Sequence, residues 1–154
     1  MLITKIIAKN FKTYRELDLD LTVNEEQPII LIGGENGGGK TTLFQAIYSA
    51  LYGLKVKDEQ HFNKLQNAGE RAKSSGNSSN KIELEIHFTG KVLHNDYKYI
   101  IKRLYTLNAQ NNPVEAVMLN LNGDIFNYGT ATPHAERVKK EAEVNLNKEI
   151  EKNG

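Results

Sequence analysis

The sequence contains no cysteine, which excludes disulfide bridges, thiolate zinc sites and a cysteine nucleophile from its 154 residues. It also has almost no charge excess: 20 Lys and Arg stand against 19 Asp and Glu, a formal net charge of +1. A protein that holds nucleic acid through overall positive charge needs a larger surplus. Any DNA contact therefore falls to a local patch or to a region outside this sequence. No apolar run approaches the roughly 18 residues that mark a membrane span. Met1 to Lys5 leads straight into a strand pattern, without the charged region and cleavage site of a secretory leader. These absences point to a cytoplasmic chain with no membrane partner. What is there is ordinary for one folded domain: 39% apolar and 25% charged residues, and enough length to enclose a core.

Periodicity divides the chain. Residues 2–8 are rich in β-branched side chains and predict a strand. Leu17, Leu19 and Leu21 alternate with Asp18 and Asp20, the pattern of a half-solvated strand with its acids outward. Ile29-Ile30-Leu31-Ile32 is wholly apolar and predicts a strand buried on both faces. Leu43, Ile47, Ala50, Leu51 and Leu54 then recur at helical spacing, with Gly53 placed to end the helix. Residues 55–80 are polar: Lys55 to Lys73 read as a solvated lysine-rich loop, and Lys73 to Asn80 predict a mobile surface loop. Strand character returns at Ile82–Phe88 and Tyr97–Leu107, and Asn122-Gly123 between two further strands predicts a hairpin turn. Thr132-Pro133 predicts a helix start, and the Ala-, Glu- and Lys-rich stretch to Lys152 one long helix. The expected division is thus 1–132 as the globular lobe and 133–154 as the helix.

Chemistry concentrates in Gly34-Glu35-Asn36-Gly37-Gly38-Gly39-Lys40-Thr41, a complete G-x-x-x-x-G-K-[ST] motif between an apolar run and an amphipathic helix. Triphosphate oxygens must be met by consecutive inward-turned backbone N–H groups, and β-carbons obstruct that turn. Gly33, Gly34, Gly37, Gly38 and Gly39 remove the obstruction, and the helix that follows aims its positive N-terminal end at the same anion. Lys40 is suited to the β- and γ-phosphates, and the Thr41 hydroxyl to Mg²⁺. The motif implies ATP with magnesium.

Around this motif the chain resembles a known group. Ile7-Ala8-Lys9-Asn10-Phe11-Lys12-Thr13-Tyr14, an apolar run, the P-loop with Thr42, and Ala50-Leu51-Tyr52-Gly53 look like the N-terminal head lobe of the SMC, RecF and SbcC-like ABC-type ATPases. Gly33-Gly34 and Leu51 to Lys55 are similar to the DndD-type ATPases of DNA sulfur modification (phosphorothioation). The resemblance implies an α/β P-loop fold with an antiparallel β layer, and a closing helix that leads toward a coiled coil. It assigns Lys12 and Thr13 to a basic loop against the nucleotide, Asn36 to the γ-phosphate region and Thr42 to the α-phosphate. Without it, Lys12 reads as an ordinary exposed lysine.

In that family, hydrolysis needs an apolar Walker B strand ending in Asp-Glu and a Leu-Ser-Gly-Gly signature, and this sequence has neither. The implied partners are the protein's own C-terminal lobe, a second head that closes over two ATP molecules, and DNA. Two other readings fit the residues. One is a small self-contained phosphotransferase that uses Asp18 or Asp20 for the metal; the other is a non-catalytic nucleotide-sensing module. His61, His87, His94 and His134 lack ligand spacing, and Val138, Ala142, Val144 and Leu146 are too irregular to define a heptad seam. Lys55, Lys57, Lys64, Arg71 and Lys73 read first as a solvated stretch. Lys98, Lys102 and Arg103 among Tyr97, Tyr99 and Tyr105 read as a sheet face, with nucleic-acid contact as the sharper alternative.

Overall fold

The structure, a computed structural model, describes residues 1–24, 26–35, 37–73 and 80–129. Asn36, the loop at 74–79 and the helix expected over 133–152 lie outside the described residues. Strands β1 (Leu2–Phe11) and β2 (Tyr14–Asp20) form a hairpin. Strands β3 (Ile82–Val92), β4 (Asn95–Leu107), β5 (Pro113–Leu121) and β6 (Asp124–Gly129) follow as a meander. They make one antiparallel sheet in the order β2-β1-β3-β4-β5-β6. The turn between β5 and β6 is the expected one, with Asn122 at φ 51 and Gly123 at φ 102.

Period-two alternation gives the sheet an inner and an outer face. Ile6, Ala8, Ile82, Leu84, Ile86 and Tyr105 point inward and are buried. Lys5, Lys9, Glu83, Glu85, His87 and Lys102 occupy the outer register positions. A register shift between Ile3 and Lys5 lets Ile3 join the same core as Ile6, three positions away. Against the inner face lies helix α1 (Lys40–Tyr52), which buries Thr42, Leu43, Ala46, Ser49 and Ala50. That i, i+1, i+4, i+7, i+8 pattern is one helical stripe, and its small residues let the helix approach the sheet closely.

Two short helices occupy the stretch expected to be loop: α2 (Glu59–Leu65) and α3 (Ala68–Lys73). Asp58 caps α2, its carboxylate accepting from the His61 N–H at 2.7 Å, while Phe62 and Leu65 enter the core. An acidic cap at Asp58, four residues before the Phe62-x-x-Leu65 pair, was the available signal. Phe62 is fully buried. Phe62→Ala is expected to cost about 3–5 kcal/mol in urea unfolding; a loss below about 1 kcal/mol would show that α2 is only loosely docked.

The run Ile29-Ile30-Leu31-Ile32 departs from expectation. It forms no strand, and its residues are 82%, 40%, 93% and 39% exposed. A strand buried on both faces needs neighbours on either side and layers above and below. The six strands pair only among themselves, so among the described residues nothing supplies those neighbours.

Candidate functional site

The P-loop residues meet the backbone demands read from the sequence. Gly37 and Gly39 have φ values of 85 and 96, a region where L side chains are strained. A β-carbon on Gly38 would stand 3.0 Å from the Glu35 carbonyl oxygen. Gly39 is the N-cap of α1 and offers no side chain to the first-turn N–H groups, and no acidic residue lies in that turn. A helix start with no side-chain cap and no acid in its first turn suits an anion. The Lys40 ammonium folds back over the loop and donates to the Gly34 carbonyl, with the Glu35 carbonyl at 3.4 Å. Thr41 is exposed at the mouth, while Thr42 is buried under the first turn.

The β1–β2 turn leans on this helix start. The Tyr14 hydroxyl donates to the Gly39 carbonyl at 2.8 Å, and a β-carbon on Gly39 would lie 2.9 Å from that hydroxyl and 3.2 Å from Thr13 Oγ1. Burial raises the Tyr14 hydroxyl above its ordinary pKa, so it remains a donor. The Lys12 ammonium donates to Gln45 Oε1 on α1 and sits 5.8 Å above the Phe11 ring. Lys12, Thr13 and Gly37 to Thr42 are therefore assembled at one place, and Gln45, given no role by sequence, is the partner of Lys12.

The far end of α1 is fastened as well. Its C-cap, Gly53, has φ 87 and ψ 165, a conformation essentially confined to glycine. No basic residue lies in the last turn, but Arg103 reaches in from β4. Its Nε donates to the Ala50 carbonyl at 2.8 Å, Nη2 to the Leu51 carbonyl at 3.0 Å and Nη1 to Glu115 Oε1 at 2.7 Å. The buried Tyr105 hydroxyl donates to Glu115 at 2.9 Å and accepts from the Leu54 N–H at 2.9 Å. Burial, then the charge of Glu115, pushes that hydroxyl far above its ordinary value. A cation at the negative end of the helix macrodipole complements the anion-binding start.

This placement corrects the reading of β4 as one basic face. Arg103 and Tyr105 point inward, whereas Lys102 lies on the outer face with Glu83 at 3.0 Å and Glu85 at 3.6 Å. Its hydrogen bond to Glu83 raises the Lys102 pKa. Lys5 and Lys9 are likewise matched to Asp18 and Glu16. The outer face therefore carries paired charge.

Asp18 and Asp20 occupy outer positions of β2 opposite Ile7 and Lys5, on the far side of the sheet from α1. Hydrogen bonds from the Thr22 side chain and then from its N–H lower the Asp20 pKa. Neither faces the P-loop. Among the described residues no group of three or more His, Cys, Asp and Glu could hold a metal ion. No helix among them is long and apolar enough to cross a membrane.

The AAA domain family matches residues 5–153. The DNA double-strand break repair Rad50 ATPase of Nanoarchaeum equitans (strain Kin4-M) is 42% identical over 53 residues, 34% of this chain and 6% of that relative. The chain thus spans a small fraction of that protein's length. A solved structure from work on ATP-driven dimerization and DNA-stimulated activation of SMC ATPases aligns with 90% of this chain and 75% of its own. Its TM-score is 0.51 at 21% identity, a likeness of fold. The chain belongs to the AAA domain family.

Proposed function

We propose that this chain is the ATP-binding half of a composite, DNA-associated ABC-type ATPase. Gly37, Gly38 and Gly39 present backbone N–H groups to the triphosphate, Lys40 neutralises its β- and γ-oxygens, and Thr42 supports the α-phosphate. Lys12 and Thr13 flank the same anion, and Asn36 keeps the γ-phosphate role that the resemblance implies. The Thr41 hydroxyl would hold Mg²⁺, whose charge, when bound, offsets that of the β- and γ-phosphates. The complete protein closes two heads over ATP and hydrolyses it in the cytoplasm beside DNA. The Rad50 relative favours repair; Gly33-Gly34 and Leu51 to Lys55 favour DNA sulfur modification as the second reading.

One observation carries the composite reading. While α1 buries one face on the sheet, its opposite face exposes Phe44 at 66%, Tyr48 at 64% and Tyr52 at 70%. These aromatics recur every four residues, and the uncovered run Ile29 to Ile32 leads into the same P-loop. Such a stripe, together with an apolar run left unpaired among the described residues, is the kind of surface a second lobe covers. The C-terminal lobe of the same protein is the proposed partner.

The test is ATP turnover. The 154-residue chain alone is expected to hydrolyse ATP near the background rate. Joined to a lobe with a Leu-Ser-Gly-Gly signature and an Asp-Glu Walker B end, it should gain on the order of a hundredfold. Steady turnover by the chain alone would favour the self-contained phosphotransferase; no gain on completion would favour the sensing module.

A further inference from the structure

Phe11, fully buried, is flanked by two left-handed residues, Asn10 at φ 55 and Lys12 at φ 51. Asparagine tolerates that region, but a lysine is strained there unless its surroundings hold it. Lys12 is held from both sides of its backbone. Its N–H donates to the Leu65 carbonyl at 2.8 Å, and its carbonyl accepts from Asn67 Nδ2 at 2.9 Å. Asn67 in turn is tied to Asn10, whose Oδ1 accepts from the Asn67 N–H at 3.0 Å. The other end of the Asn10 amide donates to the Lys81 carbonyl at 3.0 Å, so both ends of that buried side chain are used. Asn67 also divides its labour: Oδ1 accepts from Gly69 and Glu70 N–H groups at the start of α3, leaving Nδ2 for Lys12. These bonds join the α2–α3 junction to the β1–β2 turn, which touches the P-loop at Gly39. Lys12 and Thr41 line a single groove there.

We propose that Asn10 and Asn67 are positioning residues for the nucleotide, bracing the Lys12–Thr13 turn in its left-handed conformation so that the Lys12 ammonium stands beside the phosphates. The inference rests on the P-loop reading above and deepens it. Without the brace, the turn relaxes toward an ordinary backbone region and Lys12 swings off the groove. The strain is the sign of function here, because a glycine at position 12 would adopt this φ without help but would carry no charge.

The experiment is a double-mutant cycle read by Mg·ATP titration of the 154-residue chain. Asn67→Ala is expected to weaken Mg·ATP about three- to tenfold, and Lys12→Ala by a similar factor. The combined variant should be no weaker than Lys12→Ala alone, because Asn67 acts through Lys12. Asn67→Ser keeps an oxygen to cap α3 but cannot reach the Lys12 carbonyl. It should show the same loss with an unchanged melting temperature, which carries the test if Asn67→Ala folds poorly. Losses that multiply in the combined variant, or wild-type affinity in Asn67→Ser, would overturn the proposal. A Lys40→Ala chain that still binds Mg·ATP normally would instead remove the P-loop reading on which the brace depends.

Discussion

Replacing Lys40 by alanine is expected to lower Mg·ATP affinity on the order of a hundredfold while leaving the fold intact. Among the described residues the ammonium bonds to loop carbonyls at Gly34 and Glu35, on an exposed surface. Those bonds contribute little to stability, so unfolding should shift by less than about 0.5 kcal/mol. Against a triphosphate the same ammonium makes charge-assisted bonds at the start of α1, where the N–H groups already favour an anion. Removing it forfeits roughly 3 kcal/mol of binding. Isothermal titration with Mg·ATP measures this directly, and an unchanged isotherm would overturn the nucleotide assignment.

The second large effect lies at the other end of the same helix. Arg103→Met is expected to destabilise the chain by about 3–4 kcal/mol, roughly a 10 °C fall in melting temperature for a domain of this size. Methionine replaces much of the apolar stem but none of the three donors that hold Ala50, Leu51 and Glu115. The side chain is only 14% exposed, so water does not substitute freely for those bonds. Lys98→Ala on the exposed outer face is the control and should move unfolding by less than about 0.5 kcal/mol. If Arg103→Met behaves like the control, α1 is not fastened to β4 as described.

Much of this architecture was legible because short-range rules govern it. Alternation placed the strands, Asn122-Gly123 fixed a hairpin, Gly53 ended α1, and the P-loop motif located the glycines, of which Gly37 and Gly39 adopt positive φ. What escaped depended on distant partners. Ile29 to Ile32 has the composition of a buried strand, but a strand exists only where another offers its hydrogen bonds. Arg103 was grouped with Lys102 by proximity in sequence, although adjacent strand residues face opposite sides of a sheet. Asn67 gave no local sign of bracing Lys12, because that bond spans 55 positions. Of the site itself, the phosphate loop was readable from one motif and the Lys12–Thr13 turn from resemblance alone. The network that holds the turn in place emerged only from the folded chain.

The uncovered run before the P-loop also bears on how the chain survives its own synthesis. Four consecutive β-prone apolar residues in the open invite edge-to-edge stacking with other copies. Pro28 closes the run on one side, since it lacks an N–H to donate, and Gly33-Gly34 closes it on the other. The exposed segment is held to four residues, short of the about five to seven that cross-β stacking recruits. The same glycines that open the phosphate loop therefore act as gatekeepers against aggregation, and substitutions at Gly33 are constrained by solubility as well as by ligand.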